Sequence, residues 1–294
     1  MLGRFGNLIT AMVTPFDDQG KVDLDEIQKL AAALIESGSE GLVVTGSTGE
    51  AATLSDQERF DLWSVVVDAV GERGSVIAGT GTYDTAHSIH LTRQAEKAGV
   101  DAALVVTPYY VRPPQSGLVA HFKSIASSTA LPVVLYDIPL RTARKIEHQT
   151  LVELASVENI VGVKDSCGDA QGAARLISET PEDFQIYCGN DGDALPWICL
   201  GAVGIISVAS HVAGAQMAEM IRLLEQGDLP GARRIHLGLM PVFDILALTS
   251  NPIPVKAALE MIGRPVGSPR LPLVPATAGE QDRIRKVMSK AGLL

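Results

Sequence analysis

The sequence contains little that would connect the protein to nucleic acids or to disulfide chemistry. Its 24 lysines and arginines stand against 34 aspartates and glutamates, which gives a formal net charge of −10. An acidic balance of this kind argues against a nucleic-acid or anionic-membrane partner. The cysteines Cys167, Cys188 and Cys199 are odd in number and lack the close pairs of a zinc site. We therefore expect reduced thiols.

Targeting and membrane signals are also missing from the sequence pattern. Residues 1–14 are mildly apolar, but Arg4 interrupts them and Pro15 follows directly. A secretory signal would combine a basic start with a long apolar core, and a membrane span would need about 20 apolar residues in a row. Because neither pattern occurs, a cytoplasmic protein is expected.

The chain does contain a regular alternation of short apolar runs with longer stretches of helical period. Apolar residues make up 46% of the sequence, enough for a sizeable core. Helix start signals lie between the runs, such as Ser55 before Asp56-Gln57-Glu58. Eight segments are predicted as strands: Leu8–Val13, Gly41–Thr45, Ser75–Ala78, Ala102–Val106, Pro132–Tyr136, Ile160–Lys164, Phe184–Cys188 and Val203–Ser207.

Nearly continuous apolar strands that alternate with helices indicate a parallel sheet covered on both faces. Eight strand–helix units fit a closed (β/α)₈ TIM barrel better than an open sheet. The dinucleotide fingerprint and the phosphate-loop lysine, which would favour an open sheet, do not occur. After Ala209 only helical patterns follow. We predict a (β/α)₈ catalytic barrel over residues 1–226 and a small C-terminal helical extension over residues 227–294.

Lys164 is a candidate nucleophile because it ends the apolar run Ile160–Lys164. An amine at the end of a buried strand is costly to keep charged, which favours attack on a ketone carbon to form an imine. Taken alone, a lysine at this position is more typical of a side chain that extends its amino group to water. The residues at the other strand ends favour the nucleophile.

Several other strands end in residues that suit binding or proton transfer. Gly46-Ser47-Thr48-Gly49-Glu50 combines open backbone N–H groups with two hydroxyls, which suits a carboxylate or phosphate. Tyr136 ends the strand next to that of Lys164 and can move protons, while Arg141 suits a second carboxylate. The carboxyl ends of barrel strands share one face, where barrels carry out their chemistry. That face is therefore the predicted site.

The segments Gly46–Glu50 and Gly162–Ser166 together resemble the signatures of the pyruvate-dependent Schiff-base lyases, the dihydrodipicolinate synthase / N-acetylneuraminate lyase family. The resemblance runs from Ile9 to the last residues. Segments similar to the synthase branch are Thr107–Tyr110, Tyr136–Thr142 and Asn251–Lys256. Membership implies a lyase with no cofactor and no metal ion, assembled as a homotetramer of paired dimers.

The resemblance also implies catalytic roles. Lys164 would form the imine with pyruvate, and Thr48, Tyr136 and Tyr110 would form a proton relay. Tyr110 would reach the site from a neighbouring subunit. The reaction implied is the condensation of pyruvate with L-aspartate 4-semialdehyde, a step in lysine and diaminopimelate biosynthesis.

Substrate-binding roles follow from the same resemblance. Ser47 and Thr48 would hold the carboxylate of pyruvate, and Arg141 would hold that of the semialdehyde. Gly189 and Ile206 would line the imine pocket. Ser47 stands where synthases more often have threonine, which leaves open a related aldolase that cleaves N-acetylneuraminate or a 2-keto-3-deoxy sugar acid. A barrel that only binds a keto acid is the third alternative.

Feedback by L-lysine is expected to be weak or absent. Synthases inhibited by lysine often carry histidine, asparagine and glutamate around an allosteric cleft. The corresponding positions of this sequence are Asp56, Arg59, Tyr83 and His87.

Overall fold

The computed structural model describes residues 3–294, and within them eight parallel strands form a closed barrel in sequence order. The strands are β1 Leu8–Ala11, β2 Gly41–Val44, β3 Ser75–Gly79, β4 Ala102–Val106, β5 Val133–Asp137, β6 Ile160–Asp165, β7 Gln185–Cys188 and β8 Gly204–Ser207. All eight predicted strands are present, with ends that differ by one or two residues at most. The predicted (β/α)₈ barrel is confirmed.

In the described part of the chain, twelve α-helices connect the strands and continue beyond β8. They are α1 Leu24–Glu36, α2 Asp56–Val70, α3 Thr85–Lys97, α4 Gln115–Ala126, α5 Pro139–Thr142, α6 His148–Leu154, α7 Ala170–Glu179, α8 Ala194–Leu200, α9 Ser210–Glu225, α10 Leu229–Leu246, α11 Ile253–Met261 and α12 Ala278–Lys290. None of the helices in the described residues is both long and apolar enough to cross a membrane.

The predicted helix start at Ser55 is confirmed by its hydrogen bonds. The Ser55 hydroxyl accepts from the Glu58 backbone N–H, and the Glu58 carboxylate accepts from the Ser55 backbone N–H. This reciprocal pair satisfies two backbone donors that the helix itself leaves open. The start of α1 is fixed in a similar way by Asp23, whose carboxylate accepts from the Glu26 backbone N–H.

The core has two layers separated by the barrel wall. Inward side chains such as Ile9, Val43, Leu104 and Ile206 fill the barrel. The larger layer lies between the strands and the surrounding helices and includes Trp63 and other large apolar side chains. Because successive residues of a strand point to opposite faces, each strand contributes to both layers.

Helices α10, α11 and α12 form the helical region predicted for the C-terminal part of the chain. Helix α10 packs against α9, and α12 packs against both α10 and α11. The backbone N–H of Phe16, which follows β1, donates to the Val266 carbonyl oxygen at 3.0 Å. The division between a barrel at 1–226 and an extension at 227–294 stays a prediction.

Candidate active site

Tyr136 and Lys164 lie directly opposite each other on β5 and β6. Both side chains are 5% exposed, and the Lys164 Nζ atom lies 4.3 Å from the centroid of the Tyr136 ring. Tyr136 belongs to the side chains that fill the barrel. The adjacency predicted from neighbouring strands is therefore present, with an amine and a phenol enclosed together at the carboxyl ends of the strands.

The turn that follows β2 holds the predicted hydroxyls. The residues that flank it, Thr45 and Glu50, have φ angles of 56°, a left-handed conformation that is rare for residues other than glycine. Thr45 is fixed by Trp63, whose indole N–H donates to the Thr45 Oγ1 at 2.8 Å. Such backbone strain persists only where surrounding contacts hold it. The fixed turn places Thr48, which is buried, and Ser47, which is partly exposed, at the barrel mouth.

Asn251 connects two of the predicted site residues. Its side-chain Nδ2 donates to the Thr48 Oγ1 at 2.8 Å, and its backbone oxygen accepts from the Arg141 Nη2 at 3.1 Å. Asn251 lies between α10 and α11. The C-terminal helices therefore contribute to the site. The segment that contains Asn251 stood out in the sequence only by resemblance, which gave this residue no role.

A cavity of about 320 Å³ lies at the barrel mouth. Its lining combines the turn after β2 with the end of β5, and it includes Ser47, Tyr136, Arg141 and Asn251. Apart from these polar groups it contains apolar side chains such as Leu104 and Ile138. An apolar cavity with a few converging polar groups is typical of a small-molecule site.

Gly189 and Ile206 also lie at or near this end of the barrel. Ile206 is fully buried among the side chains that fill the barrel. A Cβ atom on Gly189 would contact the Ser166 Oγ and would lie 3.0 Å from the Asp165 carbonyl oxygen. Only glycine fits between these atoms, so β7 can approach the end of β6.

Tyr110 lies outside this group within the single chain. It is 91% exposed and has a φ angle of 71°. Its neighbour Val111 is 54% exposed, and Leu140 at the start of α5 is 94% exposed. The structure thus brings Lys164, Tyr136, Thr48, Ser47 and Arg141 to one end of the barrel and leaves Tyr110 on the surface.

A buried ion pair that the sequence did not suggest supports the turn after β2. The Lys256 Nζ lies 2.8 Å from the Glu50 Oε1, and both side chains are at most 3% exposed. Burial lowers the pKa of Lys256, while the nearby Glu50 carboxylate acts in the opposite direction. The backbone N–H of Arg270 donates to the Glu50 Oε2 at 2.8 Å. These bonds attach the end of the turn to α11 and to the segment before α12.

Three acids lie close to the nucleophile. Asp137 and Asp165 follow Tyr136 and Lys164 and pair with each other across β5 and β6. Burial raises the pKa of Asp137 to about 7 and also raises the pKa of Asp165. Burial likewise raises the pKa of Asp191, while the positive charge of Lys164 acts in the opposite direction.

Asp191 fixes the end of β8. Its carboxylate accepts from the Ser207 Oγ at 2.5 Å and from the backbone N–H groups of Ala209 and Val208 at 3.0 and 3.3 Å. The Asp191 carboxylate therefore joins the turn after β7 to the end of β8.

Of the positions considered for lysine feedback, Arg59 lines the cavity, and the residues Asp56, Tyr83 and His87 do not belong to its lining. The Asp56 carboxylate lies 2.9 Å from the His87 Nε2, and Tyr83 packs edge to face against Tyr109 with ring centroids 5.5 Å apart. The guanidinium of Arg59 is buried, and its Nη2 donates to the Ala51 carbonyl oxygen at 2.5 Å. Weak or absent feedback stays a prediction.

Comparison with known proteins gives consistent results across the whole chain. The model of the dihydrodipicolinate synthetase family matches residues 4–291. A 4-hydroxy-tetrahydrodipicolinate synthase from Moorella thermoacetica is 49% identical over 291 residues, which are 99% of this chain and 100% of that protein.

Solved structures give the same result. A dihydrodipicolinate synthase from Bacillus anthracis has a TM-score of 0.96 and 46% identity, with 98% of this chain and 99% of that chain covered. A dihydrodipicolinate synthase from Cyanidioschyzon merolae, solved with lysine bound, has a TM-score of 0.97 and 43% identity, with 99% and 100% covered.

Proposed function

The chain belongs to the dihydrodipicolinate synthetase family, and we propose that it acts as a 4-hydroxy-tetrahydrodipicolinate synthase that condenses pyruvate with L-aspartate 4-semialdehyde. The observation that carries the proposal is the buried amine of Lys164 next to the phenol of Tyr136, with an arginine at the cavity mouth. A cytoplasmic location goes with this role.

Lys164 supplies the nucleophile in the proposed reaction. Its amine attacks the ketone carbon of pyruvate, water leaves, and a cationic imine forms. The imine withdraws electrons, so the methyl group of pyruvate loses a proton and becomes an enamine. The enamine carbon bonds to the aldehyde carbon, and the developing alkoxide takes up a proton. The amine of the second substrate then displaces Lys164 and closes the ring.

Tyr136 and Thr48 move the protons in this scheme. The ring of Tyr136 lies beside the amine, which suits its phenol to protonate and deprotonate groups on the imine carbon. Thr48 is held by Asn251, so its hydroxyl has a fixed position. Positioned acid–base groups of this kind typically contribute about 10²–10⁴-fold to a rate.

Two carboxylates need separate binding groups. Ser47 and Thr48 belong to the glycine-flanked turn, whose N–H groups and hydroxyls suit the carboxylate of pyruvate. Gly189 and Ile206 complete the imine pocket in this proposal. Arg141 is exposed at the cavity mouth, and its planar guanidinium suits the carboxylate of the semialdehyde.

A second copy of the chain completes the proposed relay. Tyr110, Val111 and Leu140 are all more than half exposed, although they are aromatic or aliphatic. A homotetramer of paired dimers would cover them and would bring Tyr110 to the site of the partner. A fully active monomer would contradict this role of Tyr110.

Reductive trapping tests the imine directly. Borohydride added with pyruvate should attach the reduced pyruvate to Lys164 and not to Lys256, because Lys256 is equally buried but paired with Glu50. Peptide mass mapping identifies the modified lysine, and K164A should abolish the modification. Absence of a pyruvate adduct on Lys164 in the wild type would contradict the proposed chemistry.

The second substrate is tested by supplying pyruvate with either L-aspartate 4-semialdehyde or a sugar aldehyde such as N-acetylmannosamine. Turnover with the semialdehyde is expected, because Arg141 suits a short aldehyde that carries a carboxylate. Turnover with the sugar aldehyde alone would favour the sugar-acid aldolase. Trapping of pyruvate without condensation of either aldehyde would favour a barrel that only binds a keto acid.

A further inference from the structure

Asp137 and Asp165 form a buried acid pair directly behind the reacting side chains. They are paired residues on β5 and β6, one position after Tyr136 and Lys164. Because side chains alternate along a strand, the acids point away from the barrel interior while the phenol and the amine point into it. Asp137 is fully buried and Asp165 is 6% exposed.

The contacts of Asp137 leave half of its carboxyl group unpartnered. The Oδ2 accepts from the Ile146 backbone N–H and from the Cys167 Sγ, both at 3.2 Å. The Oδ1 is buried and has no hydrogen-bond partner among the described residues. Asp165 differs, because its Oδ1 accepts from the Cys167 backbone N–H at 2.7 Å.

Charges around the pair do not neutralise two carboxylates. The groups that face Asp137 are Asp165, the thiol of Cys167, and Lys145. Lys145 pairs with the Asp169 carboxylate at 3.6 Å, and no lysine, arginine or histidine nitrogen in the described residues lies within 4 Å of Asp137 or Asp165. The carboxyl groups approach each other within 4.8 Å. Two like charges at this distance in a buried place favour retention of one proton.

We infer that Asp137 is a positioning residue. Its carboxyl group must be protonated for the ends of β5 and β6 to hold the Tyr136 phenol and the Lys164 amine at the positions that the reaction requires. Ionisation of Asp137 places a second charge beside Asp165 and pushes the strand ends apart. The backbone hydrogen bonds between β5 and β6 continue past the two acids, since the Ser166 N–H donates to the Asp137 carbonyl oxygen at 2.9 Å. A change in strand spacing on the outer face therefore moves the phenol and the amine on the inner face. The inference rests on the proposed function.

The test compares the pH dependence of kcat in the wild type, D137N and D165N. Asparagine mimics the protonated acid, so each variant removes the charge repulsion. The ratio of the D137N kcat to the wild-type kcat should rise about tenfold as the pH passes through 7, the pKa to which burial raises Asp137. Misplacement by 1 Å has been associated with losses of about 100-fold, so a tenfold effect requires a smaller shift.

D165N provides a second test of the same repulsion, because its kcat ratio to the wild type should also rise over this pH range. Titration of the free substrates is common to all three proteins and cancels in the ratios. The KM for pyruvate should change much less than kcat. A structural role alone would lower kcat equally at every pH and would give flat ratios.

A second measurement uses the wild type alone. Carbon-13 NMR of protein labelled at the aspartate carboxyl carbons should show one resonance that titrates near pH 7. Flat kcat ratios, or no such resonance, would overturn the inference. A wild type that forms no imine at any pH would instead contradict the proposed function, so the two failures are distinguishable.

Discussion

Glu50 and Asp137 are both buried acids at the barrel mouth, but their surroundings differ. Glu50 is paired with the Lys256 ammonium at 2.8 Å and accepts a further bond from the Arg270 backbone. Asp137 has a thiol and a backbone N–H as donors, and its nearest charged neighbour in the strand ladder is another acid. Burial alone therefore does not determine the charge of an acid. Glu50 faces the ammonium group of Lys256, whereas burial beside a second acid favours the neutral form of Asp137.

The difference follows from which segments of the structure each acid connects. Glu50 joins the turn after β2 to the C-terminal helices, two segments distant in sequence, and opposite charges hold them together. Asp137 lies on β5 and faces Asp165 on β6, and the barrel ladder already joins these two strands. There a charge pair is unnecessary, and the adjacent acid makes ionisation unfavourable. Substitutions that remove one charge should therefore have opposite consequences in the two regions.

The largest effect is expected for K256M, which leaves Glu50 buried without its cation. Removal of one partner of a buried ion pair typically costs about 3–5 kcal/mol, because the remaining charge is uncompensated. Urea unfolding should show a loss of this size, and the double variant with E50Q should recover part of it. The control K286M removes the lysine of an exposed pair, in which the two side chains are 74% and 58% exposed. A loss in K286M equal to that in K256M would contradict the assignment.

An effect of comparable size, but spread over a range of pH, is expected at Asp137. Burial raises the folded-state pKa of Asp137 from 3.8 to about 7, so the folded protein holds the proton more tightly than the unfolded chain. The contribution of this proton to the free energy of unfolding is fully present below about pH 4 and is lost as the pH rises to 7. Above pH 7 the free energy of unfolding no longer changes because of Asp137. Its size is on the order of 4 kcal/mol, at 1.36 kcal/mol for each pKa unit.

The measurement is the free energy of unfolding of the wild type and of D137N across this pH range. D137N lacks the titrating group, so its stability relative to the wild type should increase from pH 4 to pH 7 and then level off. Parallel curves for the two proteins would show that Asp137 does not titrate in the folded state.

The smallest effect is expected for the pair of Arg270 and Glu58, which lies near Glu50. A hydrogen bond from Arg270 lowers the pKa of Glu58 from 4.5 to about 2. A lowered acid pKa stabilises the fold above about pH 4.5, and this contribution is lost as the pH falls to 2. R270K keeps the positive charge but removes the planar guanidinium that bonds to Glu58. The difference in the free energy of unfolding between pH 5 and pH 2 should therefore shrink by about 1 kcal/mol. Equal acid sensitivity of R270K and the wild type in urea unfolding would contradict this role.

Much of the barrel could be predicted because its signals are local. The eight strands are short apolar runs, and Ser55 and Asp23 mark helix starts by bonds that span three residues. The pairing of Tyr136 with Lys164 followed from strand order alone, since neighbouring strands of a barrel are adjacent.

The support of the site could not be predicted in this way. Asn251 meets Thr48 across 203 residues, and Lys256 meets Glu50 across a similar separation. Side-chain pairs at such distances leave no periodic pattern in a single sequence. The acid pair offered a weak local signal, because Asp137 and Asp165 each directly follow a reactive residue. Whether these acids would be ionised depended on the neighbours that only the fold brings together.

The bonds of Asn251 have a consequence for laboratory evolution of this enzyme. The same residue supports the hydroxyl proposed for the first substrate and the guanidinium proposed for the second. A library that diversifies Arg141 to accept other aldehydes would therefore also disturb Thr48 and the use of pyruvate. Beneficial changes at Arg141 should be recovered mainly together with compensating changes at Asn251, a residue outside the barrel strands.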